Sequence, residues 1–451
     1  MAVPVAVRGT PTVETVPGCQ NHLARTVRQV IVAGRTFSGI LSMKKKKIII
    51  AGGGASGLAA AITAARLGAE VHVYEKQKSA GRKLGASGNG QCNLSNRQAS
   101  CERYHGENPY FVRSVLSRFT VDDTIAFFGS IGIPVRERAD GRIYPWSLQA
   151  RSVVQALLSE IGRLGVSLWL HRRIDSVYPE RGGFSVITAG KERYRCDSVI
   201  LSMGGRSFST LGGSTRPYEL AQSLGHRIVP QLPSILAINV PYKRLHTLQG
   251  LRWDCTLTVL ADGHPVTQST DEVLFTKNGL SGPASFDVSG QVNRALYRGC
   301  EVSIVMDFLP EMDYETARAF IDGYSDTRSI KAVLDGIFKY RMGDLFLHRS
   351  GIDPEAAACD LTAGSRQKLV ETVKEFTVSP GEAGPFEEAA VSTGGVSVDE
   401  VNQRTLESKL ARGLYITGEM LDIDGDCGGF NLQFAWATGV LAARDAVTPS
   451  S

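Results

Sequence analysis

A glycine motif and a following acidic residue have the spacing of a dinucleotide-binding site. Residues 52–57 read GGGASG, which contains the pattern GxGxxG, and Glu75 follows at about the 20-residue spacing of that fingerprint. The first glycine permits a tight turn, the second lets the backbone approach a pyrophosphate, and the third lets a helix pack closely. An acid at position 75 accepts hydrogen bonds from ribose hydroxyls, which favours FAD or NAD over NADP. The residues predicted to hold the phosphates are Gly52, Gly54, Ala55, Ser56 and Gly57.

The elements that must position this motif are a strand, a helix and a second strand. Residues 48–51 are apolar, as in a parallel strand buried on both faces, and residues 58–67 are rich in alanine, which favours a helix. Gly68 is placed to end that helix, and residues 71–74 predict the second strand. Glycines interrupt the uncharged run 48–65, which argues against a membrane span. The complete order favours dinucleotide binding over a glycine turn that holds no ligand.

A second nucleotide-facing motif lies far downstream. Residues 414–417 predict another buried strand, Gly418 and Glu419 follow it directly, and GGFN at 428–431 leads into an apolar helix over 432–446. The two motifs meet in one domain if the N-terminal motif holds the ADP half of FAD and the C-terminal motif holds the ribityl chain and flavin. We therefore predict an α/β fold with a discontinuous, glutathione-reductase-type FAD-binding Rossmann domain.

The flavin end of this predicted site has contacts from three segments. Glu419 would accept hydrogen bonds from the ribityl hydroxyls, and the N–H groups near Asn431 would face the flavin's pyrimidine edge. An ordinary helix cap is the alternative interpretation of GGFN. The strand over 199–202 should end beside the cofactor, and Ile174 can present its backbone to the adenine. These predicted cofactor-binding residues are Ile174, Gly204, Glu419, Gly429, Asn431 and Leu432.

The polar run KLGASGNGQCNLSN, residues 83–96, is predicted to be a loop that lines the flavin site. Glycine and asparagine favour turns, and asparagine side chains offer amide donors and acceptors. Cys92 is either a redox thiol or, in the favoured interpretation, a small buried residue. Arg82 and Lys83 contact either solvent or the pyrophosphate. The cofactor-binding residues predicted in and before this loop are Lys76, Arg82, Lys83, Asn89, Gly90, Cys92 and Asn93.

A resemblance to a known family rests on four segments: GRKLGASGNGQCNLSN (81–96), FTKNGLSGPA (275–284), TGGVSVDEV (393–401) and TLESKLARGLYITGEMLDIDGDCGGFNLQFAWATG (405–439). Together they resemble the BaiN/YhiN-like flavoproteins, also described as aminoacetone-oxidase-family FAD-binding enzymes. The resemblance implies a split FAD domain with a β-barrel-like insert and a helical insert. It also implies reduction of carbon–carbon double bonds in 3-oxo-Δ4,6 bile-acid intermediates. The chain departs from the family's pattern at four places, and these departures leave its substrate open. They are Gln91, residues 214–221, Lys277 and Asp426–Cys427.

Hydrophobic patterning divides the rest of the chain. Apolar and polar residues alternate as in strands before residue 310, and helical periodicity follows. No second GxGxxG occurs between residues 150 and 380, so NAD(P)H would bind transiently at the flavin. The predicted organisation is a disordered or start-codon-dependent N-terminal extension (1–42), the first part of the FAD domain (43–235), a β-rich insert (236–310), a helical insert (311–384) and the second part of the FAD domain (385–451).

Composition narrows the functional classes. The chain has 451 residues and a net charge of +5. Its eight cysteines contain no CxxC pair, and this spacing argues against a structural zinc site or a disulfide framework and favours a cytoplasmic setting. The modest charge and the lack of basic–aromatic patches in the sequence argue for a small-molecule substrate rather than nucleic acid. We also expect no metal site and no stable membrane association.

The predicted function is an FAD-dependent oxidoreductase that reduces a C=C bond conjugated to a ketone in steroid or bile-acid intermediates, with NAD(P)H as the hydride donor. The alternatives are an FAD-dependent amine oxidase that uses O2 and an RNA-linked or non-catalytic flavoprotein. Catalytic residues are not assigned, since each candidate proton donor is more often structural. Those candidates are Tyr144, Tyr218, His246 and Lys277.

Overall fold

The computed structural model describes residues 45–324 and 326–448, so the predicted extension 1–42 lies outside the described residues. The strands are β1 (Lys47–Ala51), β2 (Glu70–Tyr74), β3 (Ser95–Asn96), β4 (Tyr104–His105), β5 (Val135–Glu137), β6 (Arg142–Pro145), β7 (Ser167–Trp169), β8 (Ile174–Glu180), β9 (Gly183–Thr188), β10 (Arg193–Cys196), β11 (Ser198–Leu201), β12 (Ile228–Ser234), β13 (Ile238–Asn239), β14 (Arg252–Ala261), β15 (His264–Thr276), β16 (Gly279–Ser281), β17 (Val302–Asp307), β18 (Phe376–Val378), β19 (Val391–Val396), β20 (Leu414–Ile416) and β21 (Asp424–Gly425). The helices are α1 (Ala55–Arg66), α2 (Arg82–Ala86), α3 (Phe111–Arg118), α4 (Val121–Ser130), α5 (Ala150–Arg163), α6 (Arg216–Ser223), α7 (Pro283–Tyr297), α8 (Tyr314–Asp322), α9 (Ile330–Ile337), α10 (Met342–Ser350), α11 (Ala363–Lys374) and α12 (Phe430–Val447).

A five-stranded parallel sheet in the order β20-β11-β1-β2-β7 forms the centre of the nucleotide domain. The isoleucines of β1 are fully buried, because both faces of a parallel sheet are covered. Strand β20 pairs with β11, so a segment near residue 415 completes a sheet that begins near residue 47. This confirms the predicted discontinuous domain. Helices α1 and α12 lie close together at Gly439, where a Cβ would lie 2.3 Å from the Ser56 carbonyl oxygen.

A six-stranded antiparallel sheet in the order β13-β16-β15-β14-β17-β18 forms the centre of the inserted region. The segment 236–310, predicted to be β-rich, also contains helix α7, and the segment 311–384, predicted to be helical, contributes the edge strand β18. Phe308, which follows β17, packs against Phe346 of α10 and Phe376 of β18, with ring centroids 4.9 and 5.9 Å apart. The two predicted inserts therefore share one hydrophobic core, because the helices bury their apolar faces against the sheet.

Two strands connect the inserted region to the nucleotide domain. Strands β12 and β19 pair antiparallel, with Val229 opposite Gly395 and Ser234 opposite Val391. A three-stranded sheet, β10-β9-β8, lies in the connection between β7 and β11. Among the described residues, none of the helices is both long and apolar enough to cross a bilayer.

The segment 83–96 is more ordered than the loop predicted for it. Its first residues belong to α2, a 3-10 turn follows over Ser87–Gly90, and β3 closes it. Arg82, directly before this segment, and Lys83 and Leu84 at its start favour a helix, which explains the difference. Asn89 and Cys92 have φ values of 52° and 60°, so the middle of the segment keeps the turn conformation that its composition predicts.

Candidate active site

A cavity of about 940 Å³ lies where the carboxyl ends of β1, β2, β11 and β20 meet, and it extends to the inserted region. This is the edge of an open α/β sheet at which such folds bind ligands. Cofactor and small-molecule sites commonly measure about 300–1,000 Å³, so this cavity lies at the upper end of that range. The wall of the cavity combines residues that follow each of the four strands with residues of β15 and α7.

The glycine motif forms the turn between β1 and α1. Gly52 has a φ of +104°, and a Cβ there would lie 2.3 Å from the Ser202 carbonyl oxygen. A Cβ on Gly57 would lie 2.0 Å from the Gly52 carbonyl oxygen, so any side chain would push α1 away from the turn. A Cβ on Gly54 would meet no described atom within 4 Å and would project into open space beside the cavity wall. Gly52 therefore forms the tight turn and Gly57 allows the close approach of the helix, while the role of Gly54 beside a pyrophosphate stays a prediction.

The helix ends at this cavity can receive an anionic or polar ligand. Gly54 is the N-cap residue of helix α1 and Gly429 that of α12, and in the described chain neither end has a side-chain cap or an acid in its first turn. Two buried atoms at the cavity, Ser56 Oγ and Asn93 Oδ1, have no hydrogen-bond partner among the described residues. Buried polar atoms and helix N-termini ordinarily have partners, so this wall fits the phosphates, ribityl chain and isoalloxazine of FAD.

Glu75 is held at the end of β2 by the backbone. Its Oε2 accepts a hydrogen bond from Gly53 N at 2.9 Å, and its Oε1 accepts one from Gln77 N at 2.8 Å. Each carboxylate oxygen keeps a second lone pair for a ribose hydroxyl. Nearby, Lys76 Nζ donates to Ser214 Oγ at 3.0 Å and Arg82 donates to Gln77 Oε1 at 2.7 Å. All of these side chains except Ser214 line the cavity, where Lys76 and Arg82 add positive charge near the expected phosphates.

Glu419 lines the cavity in a dense network of protein donors. Its Oε2 accepts from Lys83 Nζ at 2.7 Å, and its Oε1 accepts from Ser207 Oγ at 2.8 Å and from the N–H and Oγ of Ser392 at 3.0 and 3.1 Å. Burial raises the pKa of Glu419, but Lys83 and the other donors lower it more, so its net pKa lies below the usual value. Three of these donors bind Oε1, so Oε2, which accepts only from Lys83, is the oxygen that can still accept the predicted ribityl contact. The carboxylate chiefly fixes Lys83 and β19 at the wall.

The start of α12 is built by close backbone contacts. A Cβ on Gly429 would lie 2.6 Å from the Ser95 carbonyl oxygen and 2.8 Å from Asn93 Oδ1. Asn431 Oδ1 accepts from Gly425 N at 2.9 Å, and its Nδ2 donates to Gly425 O at 2.7 Å. The Asn431 side chain therefore fixes the preceding loop, which leaves the helix N–H groups for the expected flavin.

The structure brings most of the predicted cofactor-binding residues to one wall. Those that line the cavity are Gly52, Gly54, Ala55, Ser56, Glu75, Lys76, Arg82, Lys83, Asn89, Asn93, Gly204, Glu419, Gly429, Asn431 and Leu432. Four others lie outside the lining: Gly57, Gly90, Cys92 and Ile174. Cys92 is fully buried, and burial raises the pKa of its thiol to about 12, which favours the structural interpretation over the redox one.

Of the four candidate proton donors, Tyr144 lines the cavity and the other three lie outside its lining. Tyr218 is buried, and its hydroxyl donates to the Glu419 carbonyl oxygen at 3.3 Å. Burial raises the pKa of Tyr218, which makes it a poor acid. His246 belongs to a 3-10 helix of the inserted region, and Lys277 is exposed in the turn between β15 and β16.

Apart from Tyr144, Asp426 and Cys427, sequence reasoning missed the wall that faces the expected flavin. Its apolar part includes Ile235, Ala237, Leu274, Pro283 and Phe286, and its charged part includes Arg252 and Glu272, which pair with each other, together with Arg138, Arg142 and Asp426. Ile235 has a φ of +54°, which is a strained conformation for a β-branched residue and is typical of functional sites. Gly282 before Pro283 is the sequence signal that could have located the start of α7.

A basic–aromatic strip lies on β5, β6 and the residues beside them, and it consists of Arg136, Arg138, Arg142, Tyr144 and Trp146. Arg136 stacks over the Trp146 ring at 4.5 Å and Arg138 over the Tyr144 ring at 4.3 Å. Trp146 is 60% exposed, whereas Arg138, Arg142 and Tyr144 line the cavity. Composition alone does not reveal this patch, because strand pairing places Arg136 opposite Tyr144.

Comparison with known proteins identifies the family. Residues 46–445 match the family model described as the HI0933-like protein Rossmann domain. The chain is 38% identical over 396 residues to the 3-dehydro-bile acid Δ(4,6)-reductase of Clostridium scindens, covering 87% of this chain and 96% of that protein. These matches confirm the family resemblance inferred from the four sequence segments, and they place the chain among FAD-dependent oxidoreductases.

Other relatives have a different substrate in their names. The chain is 28% identical over 396 residues to the ribosomal RNA dihydrouridine synthase of Escherichia coli, covering 88% of this chain and 96% of that protein. A solved 3-ketosteroid Δ1-dehydrogenase from Sterolibacterium denitrificans aligns over 90% of this chain and 100% of that chain, at 13% identity and a TM-score of 0.48. A likeness at this level carries no information on substrate.

Within residues 45–324 and 326–448, no cluster of His, Cys, Asp or Glu has a metal-binding arrangement.

Proposed function

The chain belongs to the HI0933-like family of Rossmann-domain proteins, and from this premise we propose that it reduces a C=C bond conjugated to a carbonyl group in a small molecule, with NAD(P)H as the electron donor. The substrate class that we propose is a 3-oxo steroid acid with Δ4 or Δ4,6 unsaturation. The 38% identity to a bile-acid reductase over almost the full length of that protein supports this class. FAD, when bound, supplies the hydride chemistry.

The observation that carries the proposal is that one cavity extends from the glycine motif at residues 52–57 to the inserted region. A substrate held against β15 and α7 would lie against the flavin end of the cofactor site. The apolar side chains Leu274, Pro283 and Phe286 suit a fused ring skeleton and exclude water from the reacting bond. Arg252 and the cavity arginines Arg138 and Arg142 suit the carboxylate at the far end of a steroid acid.

A two-stage anaerobic experiment tests the proposal. The purified yellow protein is mixed with NADH or NADPH, and the bleached protein is then mixed with a 3-oxo-Δ4 steroid acid or its Δ4,6 analogue. We expect bleaching in the first stage and return of the colour with formation of the saturated product in the second. Bleaching by an amine alone would instead establish the amine oxidase alternative. Failure of every enone to restore the colour would contradict the proposed reductase.

A second candidate function is reduction of the uracil ring in RNA, in which the C5=C6 bond is also conjugated to a carbonyl. The basic–aromatic strip favours it, because exposed aromatics stack on bases while arginines bind phosphates. Bleached protein is mixed with uridine-containing RNA as the acceptor. Trp146→Ala should slow RNA-driven recovery of the colour by about 5-fold or more, since base stacking contributes about 1–3 kcal/mol per base. Equal recovery rates in wild-type and variant protein would remove this candidate.

A further inference from the structure

A hydrogen-bonded imidazole and carboxylate lie at the edge of the cavity. His105 Nε2 is 2.7 Å from Asp426 Oδ1, and strand pairing of β4 with β21 brings these residues together across 321 positions of sequence. Asp426 lines the cavity and its side chain is 12% exposed, whereas the His105 side chain is 23% exposed. The pair therefore connects a group at the cavity wall to one that is more accessible to solvent.

We propose that His105 and Asp426 form a proton relay that delivers the proton required at the α-carbon of the reduced double bond. This inference rests on the proposed function, because reduction of a conjugated C=C bond needs one proton in addition to a hydride. Asp426 is the catalytic residue of the pair, since it reaches the cavity. His105 is a positioning residue that also returns the proton to Asp426.

The step balances in atoms and electrons. The β-carbon of the enone receives a hydride, with its two electrons, from reduced FAD, which NAD(P)H regenerates. The π bond of the substrate breaks and its electron pair moves to the α-carbon side. There a new C–H bond forms with a proton that the His105 imidazolium has passed from Nε2 to the Asp426 carboxylate, so Asp426 is ionised again once the proton leaves it. Water then reprotonates the neutral His105.

The charges around the pair favour a proton on His105. Burial lowers the pKa of His105, but the hydrogen bond to Asp426 and the charges of Asp424 and Asp426 raise it more, so its net pKa lies above the usual value. A second carboxylate, Asp287 of α7, accepts from Cys427 N at 2.8 Å and is close enough to Asp426 to feel its charge. The other charged groups that face this cluster are Arg103, Arg142, Asp271 and Arg294.

Arg103 and the loop geometry hold Asp426 in place. Arg103 NH1 is 3.4 Å from Asp426 Oδ2, and Asp426 N donates to the Arg103 carbonyl oxygen at 2.9 Å. Cys427 and Tyr144, which also line the cavity, are the competing acids. Burial raises the pKa of Cys427 to about 11, and Tyr144 lies beneath the Arg138 guanidinium. Neither has a direct hydrogen bond to His105, whereas Asp426 does.

The first test uses the holoenzyme variants Asp426→Asn and His105→Gln. Both should keep their flavin and bleach normally with NAD(P)H, while enone-driven recovery of the colour should slow by about 100-fold or more, the usual contribution of a general acid. His105→Gln should also flatten the pH profile of this recovery. Glu107→Gln is the matched control, because its carboxylate pairs with Arg227 outside the cavity lining.

The second test does not depend on activity. NMR titration of the apoprotein, with the His105 signal assigned through His105→Gln, should show that Asp426→Asn lowers the pKa of His105 by about 1 unit or more. An unchanged His105 pKa, or normal recovery of the colour in Asp426→Asn, would overturn the relay. A larger loss in Tyr144→Phe or Cys427→Ser than in Asp426→Asn would also overturn it. If wild-type protein reduces no enone, the proposed function fails, and the NMR result then tests only the coupling of His105 to Asp426.

Discussion

The glycine motif at residues 52–57 must let α1 pack closely on the turn and must leave space for a pyrophosphate. Single alanine substitutions at Gly57 and Gly54 separate these two requirements. A Cβ on Gly57 would lie 2.0 Å from the Gly52 carbonyl oxygen and 3.3 Å from the Ser202 Cβ. A close carbon–oxygen contact needs about 3.3 Å, so α1 must move by about 1 Å. Overpacking costs about 1–3 kcal/mol, and the helix propensity of alanine offsets about 1 kcal/mol. Since the clash is with backbone, we expect Gly57→Ala to destabilise the apoprotein by about 2 kcal/mol.

Gly54→Ala should have the opposite pattern. Gly54 has an extended backbone, with φ of −84° and ψ of −168°, which alanine also adopts. A weaker helix cap and a less flexible unfolded chain nearly cancel, so we expect a change in apoprotein stability below about 1 kcal/mol. The new Cβ would occupy the open space in which a pyrophosphate lies against the turn. FAD affinity should therefore fall at least about 10-fold, or 1.4 kcal/mol.

Urea unfolding of the apoproteins and titration with FAD measure the two effects independently. Gly162→Ala is the matched control, because Gly162 is exposed in helix α5 and its Cβ would meet no described atom within 4 Å. This control should gain about 0.5–1 kcal/mol and bind FAD normally. If Gly57→Ala were as stable as Gly162→Ala, or if Gly54→Ala bound FAD with wild-type affinity, the assigned roles of these glycines would be refuted.

Three further perturbations give distinct outcomes. Lys83→Met should destabilise the apoprotein by about 2 kcal/mol at pH 7. Because Lys83 lowers the pKa of Glu419, the difference in unfolding free energy between wild-type and variant protein should shrink as the pH falls through the pKa of Glu419. Urea unfolding at several pH values measures this difference. Burial and then the charge of Asp426 raise the pKa of Asp287 from 3.8 to about 6, so its charged form destabilises the fold. Asp287→Asn should therefore stabilise the protein by about 2 kcal/mol above pH 6, with the gain absent below pH 4; a pH-independent gain would exclude this explanation. Asn89→Leu should fold but lose flavin, and full flavin content after purification would contradict a role for Asn89 at the cofactor.

The nucleotide half of the fold could be predicted because its signals are local. The motif at 52–57 specifies a turn and a helix start within a few residues, and Glu75 ends the next strand. The C-terminal motif could be joined to it because both have the same strand–glycine pattern. The predicted elements differ from those observed by only a few residues, as with α12, which extends from Phe430 to Val447.

The inserted region was harder to predict because its stability depends on contacts between distant segments. Strand β18 has three residues within an otherwise helical stretch, and pairing with β17 makes it a strand. Helix α7 begins at Pro283 after strand-like sequence, and its small and polar residues give weak helical periodicity. Phe308 and Phe376 then pack together, although no local pattern relates them.

The two walls of the cavity therefore differ in how the sequence encodes them, and this difference bears on substrate choice. The cofactor wall depends on glycines whose replacement would clash with backbone atoms, so its geometry tolerates little change. The opposite wall depends on side chains such as Arg138, Phe286 and Asp426, which project from several elements. Asp426 is also a position at which the chain departs from the family's pattern. Substitutions on that wall can therefore change the substrate and the proton donor while the cofactor wall still binds the same cofactor.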